Sequence, residues 1–177
     1  VCVPLPAFFT PTQLEWAIEC SGVDTLITHQ PERHFWKIMG HDSQIGNVQG
    51  LHVLTRKNVY QYIPPGTTKI TFTSGSTGNP KGVCLSQLVQ ERVAGSIASI
   101  MLGMGIKRHL CALPLPVLLE NVAGVYASII AGADCVLPSL EKVGWSGSSN
   151  WNPSSFLQCV QDYRIQSAII LPQMLKA

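Results

Sequence analysis

Within ten residues, Thr73-Ser74-Gly75-Ser76-Thr77-Gly78-Asn79-Pro80-Lys81-Gly82, the chain places four hydroxyl side chains, three glycines and one lysine. Glycine has no Cβ, so backbone N–H groups in such a loop can turn inward while hydroxyls and an ammonium face the same anion. That chemistry suits a polyphosphate. Ordinary turns also use Ser, Thr, Gly and Pro, but they need neither so many hydroxyls nor a lysine after the last proline. The P-loop pattern does not fit: Pro80 stands five residues after Gly75, and Lys81 is followed by Gly82 where a metal-binding hydroxyl is required. A dinucleotide fingerprint fails as well, because Gly103-Met104-Gly105 has Arg108 in the third glycine's place and follows a helical stretch.

Other chemistries have weaker support. Cys2, Cys20, Cys84, Cys111, Cys135 and Cys159 are widely spread without a CxxC pair, and they read as buried, reduced thiols of a cytoplasmic protein. His29, His34, His41, His52 and His109 do not pair at ligand spacing, so no metal held by side chains alone is expected. Glu120 and Asn121 are polar groups at the start of a helix, where capping or solvation explains them as well as substrate contact does.

The elements that must position the loop follow from pattern. Thr10-Pro11-Thr12-Gln13 combines an N-cap, a proline in the first turn and a capping-box glutamine, which starts a helix ending near Gly22. A short strand over 23–28 follows. Residues 29–68 read as a connector with short strands at 51–54 and 59–63. From Lys69 a regular alternation begins: strand 69–73, the loop, strand 82–85, helix 87–104, strand 109–113, helix 118–131, strand 134–137, helix 153–163 and strand 167–171. Val89, Val93, Ile97, Ile100, Met101 and Met104 form the apolar stripe expected to face inward on the long helix. This predicts an α/β fold, a mostly parallel sheet with helices on both faces, with 69–177 as a βαβ-type subdomain carrying the phosphate loop.

Phe72 through Gly82 matches, at every specified position, the signature aromatic-T-S-G-[ST]-T-G-x-P-K-G of the adenylate-forming superfamily, which includes acyl-CoA synthetases, nonribosomal peptide adenylation domains and luciferases. The resemblance extends to Val3-Pro4-Leu5, Leu113-Pro114-Leu115 and Ile169-Ile170-Leu171-Pro172, and it is closest to acyl-CoA ligases. It implies that residues 1–177 are part of the large N-terminal domain of such an enzyme. It also implies ATP, Mg²⁺ and coenzyme A as cofactors and a carboxylic acid, of fatty type, as substrate. Thr73, Ser74, Ser76 and Thr77 would donate hydroxyl hydrogen bonds to the ATP phosphates. Gly75, Gly78 and Gly82 would permit close approach, and Lys81 would neutralise phosphate charge. Lys81 and Thr77 would be the catalytic pair, with Val117, Leu118 and Asn121 at the acid. The family's Tyr-Gly-x-Thr-Glu motif, its ribose-binding aspartate and its C-terminal lysine, which serve nucleoside, Mg²⁺ and catalysis, are expected downstream of this stretch, so the fragment alone is expected to be inactive. A departure is Val117, where many acyl-CoA ligases carry a histidine. The alternative reading of the residues is a non-catalytic nucleotide- or phosphate-binding module.

Composition bounds the rest. Hydrophobic residues make up 46 % and charged residues 12 %, about half the ~25 % charged share of soluble domains. Disorder and coiled coil are excluded, and a net charge of +2 without a basic run gives no footprint for nucleic acid. No apolar run reaches the length of a membrane helix. So low a charge is expected of a chain whose apolar face is covered by the remainder of a parent protein. Val1 at the start and Met174-Leu175-Lys176-Ala177 at the finish read as cut ends.

Overall fold

The computed structural model describes residues 1–29, 33–40, 44–57, 60–73, 79–147 and 150–175. The chain divides into two compact units, Val1–Leu85 and Ser86–Ala177.

The first unit opens with α1 (Pro11–Cys20). Its start has the predicted capping box: the Gln13 N–H donates to Thr10 Oγ1 at 3.3 Å, and the Thr10 N–H donates to Gln13 Oε1 at 3.0 Å. Strands β1 (Thr25–Thr28), β2 (Gln44–Val48) and β3 (Leu51–Thr55) form an antiparallel sheet in the order β1-β3-β2, and α2 (Arg33–Met39) lies between β1 and β2 in sequence. Ile18, Leu26, Met39 and Leu54 form its core. Arg56 ties these elements together by donating to the carbonyls of Val23 (2.7 Å) and Ile38 (3.3 Å) and to the Glu19 carboxylate (2.5 Å). β4 (Thr67–Thr73) pairs with β5 (Lys81–Ser86), and Ile70 and Phe72 of β4 pack with Phe9 and Ala17 in a second cluster.

The second unit begins with α3 (Gln87–Gly103), capped by the Ser86 hydroxyl. β6 (Arg108–Leu110) is the centre of a parallel sheet ordered β10-β6-β7, with β7 (Asp134–Val136) and β10 (Ser167–Ala168). A π-helical segment, Glu120–Tyr126, runs into α4 (Ala127–Ile130). α5 (Leu140–Val143), a hairpin of β8 (Trp145–Ser146) and β9 (Asn150–Trp151), α6 (Pro153–Asp162) and a 3₁₀ turn (Pro172–Leu175) complete it. Leu110, Ala112, Leu113, Val143, Cys159 and Met174 form its main core.

Several expectations change. The fold is α/β, but the parallel sheet is confined to the second unit, and the three-stranded sheet of the first is antiparallel. The stretch read as a connector holds α2 and β2 besides the expected β3. Of the strand expected over 59–63, Val59 lies outside the described residues and 60–63 is irregular, since Pro64-Pro65 follows directly. The inward stripe on α3 is also different: Gln90, Ala94, Ala98 and Met101 are buried, whereas Val89, Val93, Ile100 and Met104 are exposed. Ala98 and Met101 pack with Ala127 and Ala131, so small side chains let two helices approach closely while the larger apolar residues point away. Not all cysteines are buried either, because Cys2 and Cys84 are exposed.

This inversion makes opposite predictions for two positions. Ala98→Val should cost about 1–3 kcal/mol by overpacking, whereas Val93→Ala should stay within about 0.5 kcal/mol, both read from urea unfolding.

Candidate functional site

The signature loop bridges β4 and β5. Ser74, Gly75, Ser76, Thr77 and Gly78 lie outside the described residues, and the two flanks of the loop carry the site's described geometry. On the entering side, β4 alternates into a buried run, Lys69–Phe72, and then exposes Thr73, whose hydroxyl is 3.5 Å from the Lys81 carbonyl. On the leaving side Asn79 is exposed, Pro80 is buried, and Lys81 is exposed at the first position of β5. The Trp16 indole N–H donates to the Pro80 carbonyl at 3.1 Å, which ties the end of the loop to α1. A Cβ on Gly82 would lie 3.2 Å from Ile70 Cγ2 and 3.3 Å from Phe72 Cε1. The glycine there therefore serves close packing of β5 on β4. Thr73 and Lys81, a hydroxyl and an ammonium, stand exposed at the two mouths of the loop.

Val117 and Leu118 are half-buried and Leu115 and Leu119 exposed, forming an apolar edge in the second unit after β6. Asn121 is half-buried on the first turn of the π-helical segment, where its N–H donates to the Val117 carbonyl at 3.0 Å.

Sequence reasoning missed a buried polar cluster beside that edge. Glu120, for which capping, solvation and substrate contact were all left open, has no exposed surface. Its Oε2 accepts the Leu113 N–H at 2.9 Å, and its Oε1 lies 3.4 Å from His109 Nε2. His109 Nδ1 is in turn 2.9 Å from the Ser167 hydroxyl. His109, Cys111 and Glu120 bring ligand-type atoms within 4.8 Å of one another, and Cys111 Sγ is 3.3 Å from Cys135 Sγ. Only the apolar run Leu110–Leu113 around Cys111 hinted at burial; the eleven-residue separation of His109 and Glu120 has no helical or strand period to reveal it.

The profile of the AMP-binding enzyme family matches residues 1–177. The chain belongs to this family. Among solved structures, this AMP-binding chain is similar to o-succinylbenzoate CoA synthetase of Bacillus subtilis in complex with its acyl-adenylate intermediate, with 23 % identity and a TM-score of 0.63 over 98 % of this chain and 43 % of that one. It is also similar to amide bond synthetase McbA of Marinactinospora thermotolerans, with 19 % identity and a TM-score of 0.63 over 97 % of this chain and 33 % of that one. These identities establish the shared fold of the N-terminal domain of adenylate-forming enzymes. A curated relative, the polyketide synthase-nonribosomal peptide synthetase phmA of Phaeosphaeria nodorum, is 29 % identical over 112 residues, covering 62 % of this chain and 3 % of that protein. The AMP-binding chain thus spans less than half the length of these relatives. Among the described residues, no helix is long and apolar enough to cross a membrane.

The thiols make a prediction. Burial above all, then the neighbouring Cys135 thiol and the Glu120 carboxylate, push the Cys111 thiol far up; burial also raises Cys20 and Cys159. A folded state that keeps its thiols protonated loses stability once the unfolded thiols ionise, above about pH 8.5. Stability should therefore fall from pH 8 to 10, at up to about 1.4 kcal/mol per pH unit for one such thiol. Denaturant titrations should show the fall, and Cys111→Ala should remove its share.

Proposed function

We propose that this chain carries the phosphate-handling part of an ATP-dependent, AMP-forming acid–thiol ligase. The reading rests on one observation: the complete Phe72–Gly82 signature is held between paired strands, with the Thr73 hydroxyl and the Lys81 ammonium exposed at its mouths. A carboxylate oxygen attacks the α-phosphate of ATP, the bond to the β-phosphate breaks, and acyl-adenylate and pyrophosphate form. A thiol then attacks the acyl carbon, loses its proton, and displaces AMP to leave a thioester.

During the first step negative charge gathers on the departing β- and γ-phosphates. Thr73, Ser74, Ser76 and Thr77 donate hydroxyl hydrogen bonds to them, the backbone at Gly75 and Gly78 approaches closely, and Lys81 supplies a point charge. Donors aimed where charge grows lower the barrier more than they tighten ground-state binding. Mg²⁺ would offset triphosphate charge when bound, and an exposed hydroxyl such as Thr73 is a hard oxygen compatible with it.

The acid is apolar, of fatty type, and meets the edge formed by Val117 and Leu118 with Asn121 beside them; coenzyme A is the thiol. That solved neighbours include a CoA synthetase supports the acceptor. The exposed apolar face of α3 is covered by the rest of the parent protein, and the fully free thiols among the described cysteines support a cytoplasmic setting.

Incubating the intact enzyme with ATP and a panel of carboxylic acids should release pyrophosphate in an acid-dependent way, with AMP as the nucleotide product. ADP would overturn the reaction class. Lys81→Ala and Thr77→Ala should each slow single-turnover adenylation about 10²–10³-fold, some 2.7–4 kcal/mol, with little change in acid affinity. Near-normal rates in both variants would make the loop structural only.

A further inference from the structure

A carboxylate shut away from water is costly unless its lone pairs are met by donors, and the structure sets two partners against Glu120 and leaves space for it. The Leu113 N–H reaches one oxygen at 2.9 Å. The His109 Nε2 lies 3.4 Å from the other and donates to it in the tautomer that carries its proton there; Ser167 on β10 holds the opposite ring nitrogen at 2.9 Å. Gly124, on the same π-helical segment, leaves the space: a Cβ there would overlap Glu120 Oε1 and lie 3.0 Å from His109 Nε2. The widened turn is itself accommodated, since the Ser128 hydroxyl donates to the Gly124 carbonyl at 2.5 Å.

We propose that Glu120 is a positioning residue for the carboxylic-acid site, acting through the Leu113 amide. Its carboxylate ties the chain just beyond β6 to the first turn of the π-helical segment, and so fixes the apolar stretch Pro114–Leu118 that loops between those two points. Pro114 and Pro116 have no N–H to donate, and the Val117 N–H turns back onto the Pro114 carbonyl at 2.9 Å within the stretch itself, while the Val117 carbonyl accepts the Asn121 N–H at 3.0 Å. The inference rests on the reading of this edge as acid-lining under Proposed function. A leucine in place of Glu120 would fill the core equally well, but it would leave the Leu113 N–H buried without an acceptor.

The test pairs Glu120→Ala and Gly124→Ala, which remove or displace the carboxylate, with Glu120→Gln, whose amide oxygen can accept from Leu113 while its NH₂ group donates to His109 Nε2, the ring having shifted its proton to the Ser167 side. In the intact enzyme the two alanine variants should raise KM for the acid about tenfold or more, leave KM for ATP within about twofold, and keep the single-turnover rate at saturating acid within about threefold; Glu120→Gln should restore the acid KM to within about threefold of wild type. Amide exchange should show the Leu113 N–H losing protection in both alanine variants relative to Leu110 and keeping it in Glu120→Gln. Equal rises in both KM values, an acid KM that does not move, or unchanged Leu113 protection would overturn the proposal. If Glu120→Ala does not fold, Gly124→Ala and Glu120→Gln still decide it. Stoichiometric zinc in the purified protein would also overturn it, since an ion at His109, Cys111 and Glu120 would then organise the cluster. Absence of any acyl-adenylate from the wild-type enzyme would sink the proposed function instead, and the acid-site role with it, while Leu113 exchange would still report on the tie alone.

Discussion

What grips the two ends of the signature loop sets where Thr73 and Lys81 stand. In this chain the grip is the contact of β5 on β4. Ile70 and Phe72 are buried in the cluster with Phe9 and Ala17, and Gly82 lies so close to both that even a methyl group would press on them. Trp16 adds a second hold by donating to the Pro80 carbonyl, and Arg56 fixes α1, which carries that indole, to the neighbouring strand and helix. The order of dependence therefore runs from apolar packing, through a side-chain-to-backbone hydrogen bond, to the placement of Thr73 and Lys81 at the mouths of the loop.

The second unit solves a different problem. There a stretch with two prolines must leave the end of a strand and enter a helix while presenting an apolar edge. Its anchorage is polar and buried: one carboxylate shared between a backbone N–H and a histidine, itself held by Ser167 across the parallel pairing of β6 with β10. Such a network specifies geometry more than it adds stability, because its hydrogen bonds largely offset the desolvation of a charge.

Local signals were legible in the sequence wherever one residue's chemistry fixes one conformation. The Thr10–Gln13 capping box and the loop signature both fall into this class, and with the loop came the family. Periodicity was less informative where a helix has apolar residues on more than one side. In α3 the larger residues, Val89, Val93 and Ile100, outweighed Ala94 and Ala98 on paper, yet close helix packing selected the small ones. The buried cluster was not legible at all. His109, Glu120 and Ser167 come together through strand order and a widened helical turn, and neither leaves a spacing that sequence reasoning can detect. The antiparallel sheet of the first unit was legible in part: a hairpin-like element with β3 was expected, but its partner was placed at 59–63, and the Gln49-Gly50 turn that joins β2 to β3 was passed over because β2 is short and polar.

The central claim is that a carboxylate oxygen attacks the α-phosphate while the loop stabilises departing pyrophosphate. Isotope transfer tests that bond change directly. With a carboxylic acid labelled in both oxygens with ¹⁸O, one complete turnover by the intact enzyme with ATP and coenzyme A should place one ¹⁸O in the phosphate of AMP and leave the other in the thioester carbonyl. Label appearing in pyrophosphate or inorganic phosphate, or AMP formed without label, would contradict the account.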